Sequence, residues 1–410
     1  MGWNGQPQPG SIIFDLEDEM NAADQIYLDY AATTPVDERV LKAMLPFFQE
    51  QFGNPSSIHR WGQAAETALD LARMKIAILL NAHPEEIVFT SCGTESDNLA
   101  LRGAARARRI KCGVNRILIT PVEHHAVLHT AQQLKDQEGF ELEFLPVDHF
   151  GRVNVSLAAE MIRAETAIVS AIYANNEIGT INPIEEIGEV CREKMVPFHS
   201  DAVQAAAHLP MNVQRDHLDL LSLGAHKFYG PKGVGVLYVR SGTPMMAVQT
   251  GGGQENGLRA GTQNVALIAG MAEGLGLAQT GWAERNLFFK TLRDHLIGSL
   301  LENIPASRLS GHPSERLPNH ASFVFEGVDG NNLLMMLDVA GFACSSGSAC
   351  KTGSPKPSEV LTAVGFTPEW ALGSLRVTMG SGTTVEHVQR LEQILPELIQ
   401  RQRRLRGWQG

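Results

Sequence analysis

Cysteine is scarce and scattered in this 410-residue chain. The five positions, Cys92, Cys112, Cys191, Cys344 and Cys350, include no C-x-x-C pair, and no histidine stands near Cys350 at zinc-ligand spacing. That pattern excludes the usual thiol-rich metal clips, so no metal site is expected. An odd, dispersed set in a large chain fits a reducing compartment better than a disulfide-stapled scaffold. Long apolar runs are also missing, and none approaches the roughly 20 residues that span a bilayer. The opening "MGWNGQPQPGSIIFDLEDEMNAADQ" is acidic. It lacks both the basic start and apolar core of a secretory signal and the Arg-rich character of a transit peptide. Residues 1–25 read as a poorly ordered N-terminal extension, and a cytoplasmic location is expected. Basic excess is absent too: 34 Lys and Arg face 45 Asp and Glu, a net charge of -11. No direct nucleic-acid partner is expected from such a balance, and no membrane partner. No repeat of 20–50 residues is visible.

What remains is an ordinary globular composition, 43% hydrophobic and 19% charged, long enough for two domains. Short β-rich pulses, "EIVFTS", "RILITP", "AIVSAIYA", "VPFHSD", "LDLLSL" and "GVGVLYV", alternate with amphipathic helical stretches such as "WGQAAETALDLARMKIAILL" and "ESDNLALRGAARARR". This alternation predicts an α/β fold with a mostly parallel sheet. After about residue 280 a helical stretch precedes the strands "HASFVFEG" and "SLRVTMG", and a charged helix closes the chain, which reads as a smaller α+β domain.

Ligands of open α/β sheets sit at the carboxyl ends of the strands, so the polar residues there matter most. In "EIVFTSCGTESDNLAL" a strand ending at Thr90 leads straight into a helix, whose first N–H groups favour a phosphate or other anion. Gly93 allows close backbone approach and Thr94 adds a hydroxyl. The same stretch also reads as a plain helix start capped by Thr94 or Ser96. Asp201 in "VPFHSDAVQ" follows a strand and suits a protonated ring nitrogen, with Gln204 near a ring oxygen; a helix cap is the alternative. Lys227 in "LGAHKFYGPKGVG" lies between two strands, where desolvation lowers an amine toward nucleophilicity. His124 in "PVEHHAVL" suits stacking on a planar group and proton transfer, and a structural histidine is the alternative. "GGGQENGLRAGTQN" reads as a flexible loop presenting Arg259 and Thr262. In "GFACSSGSACKTGSPKPSEVL", Cys344 and Cys350 are six residues apart. The stretch by itself leaves a disulfide, a metal clip, buried thiols and a nucleophile all open.

Taken together, "IYLDYAATTP", "GNPSSIHRWG", "FTSCGTESDNLA", "EHHAVL", "ANNEIGTINPI", "AHKFYGPKGVG", "GGGQENGLRAGT" and "SSGSACKTGSPKPSEVL" resemble group I cysteine desulfurases, the NifS/IscS type of the class V aminotransferase superfamily. The resemblance runs in order from about Ile26 to near Arg390. It implies fold-type I pyridoxal 5'-phosphate architecture, with a seven-stranded-type sheet in the large domain. Residues 36–280 would form that domain. Residues 26–35 and 281–410 would form the small domain carrying the catalytic cysteine. It also implies a homodimer that converts L-cysteine to L-alanine and passes sulfur through an enzyme persulfide. The recipient would be a sulfur-acceptor protein such as an iron–sulfur scaffold, within iron–sulfur cluster or other thio-cofactor biosynthesis.

By position, the resemblance makes Lys227 the Schiff-base lysine and Cys350 the persulfide cysteine, with "KTGSPKPS" as the extended loop of this group. Asp201 would face the pyridine nitrogen, Gln204 the phenolic oxygen, and His124 the ring, where it also assists proton transfer. Gly93, Thr94 and His226 would hold phosphate, joined by Thr262 of the partner subunit. Asn54, Asn176 and Arg376 would position the substrate, Arg376 through its carboxylate. Cys344 reads as a buried strand thiol. Two departures stand out. Gly224 occupies a position where relatives carry a serine, which removes a phosphate-binding hydroxyl worth about 1 kcal/mol. Cys92-Gly93 stands where Gly-Ala is commoner. The chain ends at Gly410, so docking through a longer C-terminal tail is not expected.

Overall fold

The computed structural model describes residues 25–347 and 356–408. The expected N-terminal extension, apart from its last residue, and the expected persulfide cysteine Cys350 lie outside the described residues. Among the described residues twelve strands follow one another: β1 (Ile26–Tyr27), β2 (Ile87–Thr90), β3 (Arg116–Ile119), β4 (Glu141–Phe144), β5 (Thr166–Ser170), β6 (Phe198–Asp201), β7 (Leu220–Gly224), β8 (Gly235–Val239), β9 (Ser307–Leu309), β10 (His320–Phe325), β11 (Phe342–Ala343) and β12 (Ser374–Thr378).

Seven of them make one sheet in the order β2-β8-β7-β6-β5-β3-β4. Its pairings are parallel except those of β8, which runs antiparallel to both β7 and β2. The inner strands β5, β6 and β7 are buried throughout, as strands covered on both faces must be. Successive residues point to opposite faces and enter different cores. Val88, Leu220 and Leu237 pack with the helices Gly93–Cys112 and His125–Glu138. Their neighbours Phe89, Leu221 and Val236 pack with Arg60–Leu80, Ile184–Glu193 and Val265–Gln279.

A second sheet, β12-β10-β9, is antiparallel. It shares a separate core with the helices Trp282–Asn303, Gly330–Val339 and Val385–Leu405. Ile26 and Leu28 also belong to that core, because β1 pairs in parallel with β11. The segment 29–34 thereby crosses from the second core to the ends of the large sheet. No described helix is long and apolar enough to cross a membrane.

Candidate active site

The carboxyl ends of five strands of the large sheet converge on one cleft of about 200 Å3. The connection after β2 brings Cys92, Gly93 and Thr94; that after β3 brings His124; that after β5 brings Asn176. Asp201 and Gln204 arrive from β6, and His226 and Lys227 from β7.

The helix Gly93–Cys112 begins with Cys92 as N-cap, not with Thr94 or Ser96, and no side chain caps it. Ser96 instead meets the Thr90 hydroxyl at 2.7 Å, and Glu95 accepts the Ser91 N–H at 2.7 Å. The first N–H groups of a helix have no intrahelical acceptor, so this uncapped end offers donors to an anion. Gly224 faces it. A Cβ there would lie 3.4 Å from the Gly93 nitrogen in ordinary contact, so glycine keeps space open beside the helix start.

Asp201 closes β6 at 5% exposure, and its carboxylate accepts the Val203 N–H at 2.9 Å. It turns the chain locally and caps no regular helix; only a short 3-10 turn, Ala205–Ala207, follows. Burial raises its pKa, and His124 and Lys227 oppose that shift. Gln204 donates to the Ala31 carbonyl at 2.8 Å. His124 caps the helix His125–Glu138, accepting the Ala126 N–H on Nδ1 at 3.1 Å. Burial lowers its pKa, with Asp201 opposing.

Lys227 Nζ donates to the carbonyls of Ala31 and Ala32 at 2.6 and 2.7 Å. Burial, then the nearby Arg376 charge, brings its pKa down to about 8, so the amine is readily neutralised near physiological pH. His226 falls to about 4, through burial and the Lys227 and Lys232 charges, and enters the cleft neutral.

Arg376, 7% exposed on β12, stands behind the Lys227 wall. Its Nη2 donates to Asp29 Oδ1 at 2.8 Å and its Nη1 to the Asn176 carbonyl at 3.0 Å, while Nε has no partner. Asn176 therefore meets Arg376 through its backbone and lines the cleft as well.

Asn54 and Thr262 do not reach this cleft within one chain. Both are exposed and line a separate groove with Phe47, Phe48 and Phe52. The glycine-rich 251–264 segment is not the free loop its composition suggests: Glu255 is buried, and Arg259 pairs with Glu95 at 2.9 Å. Cys344 lies just past β11 and is half-buried rather than buried, with its thiol pushed up to about 12 by burial and Asp29.

Several residues of the site escape a reading of the sequence. Asp97, buried one turn into the helix Gly93–Cys112, looks in sequence like any acid near a helix start. Glu123, Asp29 and the Ala31 and Ala32 carbonyls carry no signal of their own, only a place inside the stretches "EHHAVL" and "IYLDYAATTP".

The residues present fit pyridoxal phosphate. There is an uncapped helix start with a glycine-cleared space beside it, a buried acid, an imidazole lining the cleft and an amine whose pKa is brought down to about 8. Fold and site thus define an α/β enzyme with a lysine at the strand ends. The aminotransferase class-V family model matches residues 26–391. A cysteine desulfurase IscS of Clostridium botulinum is 46% identical over 383 residues, covering 93% of this chain and 96% of that protein. The cysteine desulfurase NifS of Azotobacter vinelandii is 41% identical over 387 residues, 94% and 95% of the two chains. A solved "NifS-like protein" superposes with a TM-score of 0.85 at 35% identity, covering 92% and 99%. The chain belongs to the class-V aminotransferase family, among its cysteine desulfurases of the IscS and NifS type.

Proposed function

We propose that this protein is a pyridoxal-phosphate-dependent cysteine desulfurase that converts L-cysteine to L-alanine and takes the sulfur onto Cys350 as a persulfide. The observation that carries the reading is Lys227, a lysine with a lowered pKa that shares its cleft with Asp201, His124 and an uncapped helix start. Pyridoxal phosphate, when bound, supplies an electrophilic carbonyl and an electron sink for the substrate Cα. Gly93, Thr94 and His226 would hold its phosphate, Asp201 its ring nitrogen and Gln204 its phenolic oxygen, and His124 would lie against the ring. Asn176 and Arg376 orient the substrate, whose carboxylate meets the guanidinium at the unpartnered Nε.

Lys227 Nζ, uncharged in part near pH 8, takes the substrate Cα proton. The Cys350 thiolate attacks the substrate sulfur, forming an S–S bond and breaking the Cβ–S bond. The electron pair of the broken bond stays on carbon, which is protonated on the way to alanine. Thiol and cysteine thus become persulfide and alanine, with no external oxidant.

Residues 36–280 serve as the cofactor domain in this reading, and 26–35 with 281–410 as the small domain. A homodimer completes the site by delivering Thr262, and with it Asn54, to the partner's cleft. The persulfide then goes to an acceptor protein in the cytoplasm, such as an iron–sulfur scaffold.

Incubation of the holoenzyme with L-cysteine should give alanine and a persulfide that mass spectrometry places on Cys350. Cys350→Ser should lose the persulfide while keeping the cofactor absorbance, and Lys227→Ala should lose that absorbance. Sulfide release at the native rate by Cys350→Ser, or no alanine from the wild type, would refute the reading.

A further inference from the structure

The cleft holds one more acid than the reaction above uses. Asp97 is 1% exposed on the helix Gly93–Cys112, and its Oδ1 has no hydrogen-bond partner. An oxygen of Asp97, an oxygen of Asp201 and a ring nitrogen of His124 all lie within 4.8 Å of one another. Two buried carboxyls that close cannot both be ionised, because their repulsion adds to the cost of burying each charge.

The surroundings say which one keeps the proton. Asp201 accepts the Val203 N–H and faces the His124 ring and the Lys227 amine, all of which favour its anion. Asp97 has no basic group at hydrogen-bonding distance. Its polar neighbours are the Ser222 hydroxyl and His199, whose Nε2 is 3.6 Å from Oδ1. His199 shares hydrogen bonds with Ser170 at 2.8 Å and Ser222 at 2.9 Å, and burial holds it neutral with a pKa of about 3. The remaining titratable groups facing Asp97 are His124, whose ring nitrogen is within 4.8 Å of both carboxyls and so does not separate them, and Glu123 and Cys92, which both add negative charge if ionised.

We infer that Asp97 is a neutral carboxylic acid whose O–H is directed at the Asp201 carboxylate, making the pair a single negative charge at the ring-nitrogen end of the cleft. Asp97 is then a positioning residue. It keeps Asp201 ionised and aimed at the ring nitrogen by giving it one more donor. This role rests on the pyridoxal phosphate reading above; the protonation state of Asp97 does not.

Two measurements separate those layers. Infrared difference spectra of the cofactor-free protein at neutral pH, wild type minus Asp97→Asn, should show a protonated-carboxyl band that the variant lacks. The same difference taken in a Glu123→Gln background should keep the band, which removes the other buried carboxyl as its source. For the second, pyridoxal phosphate is titrated into each protein. Asparagine is close to the acid in volume and still donates to Asp201, so Asp97→Asn should bind the cofactor within about twofold of wild type. Asp97→Leu, which has no donor, should bind about tenfold more weakly. A difference spectrum showing only ionised carboxylate would overturn the inference. So would an Asp97→Asn protein that fails to fold or binds as poorly as Asp97→Leu, since either means a charge at Asp97 is needed. A wild type that takes up no pyridoxal phosphate at all would refute the proposed function while leaving the infrared result to stand.

Discussion

Glu123 shows how a single buried side chain links protonation to stability. It is 2% exposed, one oxygen accepts the Thr120 hydroxyl and the Ile172 N–H, each at 2.8 Å, and the other oxygen has no partner. Burial pushes its pKa from an ordinary 4.5 up to about 8. A carboxyl raised on folding contributes stability that is fully present below its unfolded pKa and is lost as pH rises through the folded value. The window here runs from about 4.5 to about 8. Glu123→Gln keeps both accepted hydrogen bonds and removes the titration. Its stability relative to wild type should therefore increase with pH across that window, by about 1 kcal/mol per pH unit. Urea unfolding of the two cofactor-free proteins at several pH values reads this directly, and a pH-independent difference would show that Glu123 is ionised in its folded surroundings.

At the scale of an element, the 251–264 segment is held by one buried acid. Glu255 receives two hydrogen bonds from Arg73 at 2.9 Å each, the Phe89 N–H at 2.8 Å and the Gln263 amide at 3.1 Å. These contacts hold Glu255 and Asn256 in the left-handed region, at φ of 47° and 55°, which costs a non-glycine residue about 1 kcal/mol or more. Glu255→Ala leaves a mostly buried guanidinium unpaired, so it should destabilise the protein by about 3 kcal/mol or more. Glu95→Ala breaks the more exposed Arg259 pair and should cost about 1 kcal/mol or less. Chemical denaturation of both variants makes the comparison, and equal losses would mean that Glu255 is not the anchor.

The same segment marks where the sequence stops being readable. The inner strands were legible because an unbroken apolar run bounded by Gly, Pro or Ser has few other uses. The edge strand β4, "ELEF", is illegible in sequence because it carries Glu141 and Glu143 on a half-exposed strand with no apolar run. β9, "SRL", was too short to register. The motif residues Lys227, Asp201 and His124 are legible because each follows a strand pulse. Glu255 depends on Arg73, 182 residues away, and Asp97 on a carboxylate from another strand. Local pattern carries no trace of such pairings.

At the scale of the whole molecule, a single chain leaves two expected site residues stranded. Asn54 and Thr262 share a groove with Phe48 and Phe52, which are 54% and 57% exposed, and Trp61 packs edge-on against Phe52 at 5.0 Å. Ile58 in the same stretch is 94% exposed. Apolar surface this continuous marks a contact face more often than a free one, and a second copy seated on it would bring Thr262 toward the partner's cleft. Complementation decides whether the site is shared. Lys227→Ala removes the lysine, and Thr262→Glu sets a carboxylate against the bound phosphate, so each variant alone should be inactive with L-cysteine. In a mixed dimer with a shared site, the Thr262→Glu chain keeps its lysine and receives an intact threonine from the Lys227→Ala chain. One cleft is then whole and the other carries both defects. Random pairing makes half of the dimers mixed, so co-expression should restore about a quarter of wild-type activity. If Thr262 served its own chain's cleft, no mixture would contain a complete site, and the co-expressed protein would stay as inactive as either parent.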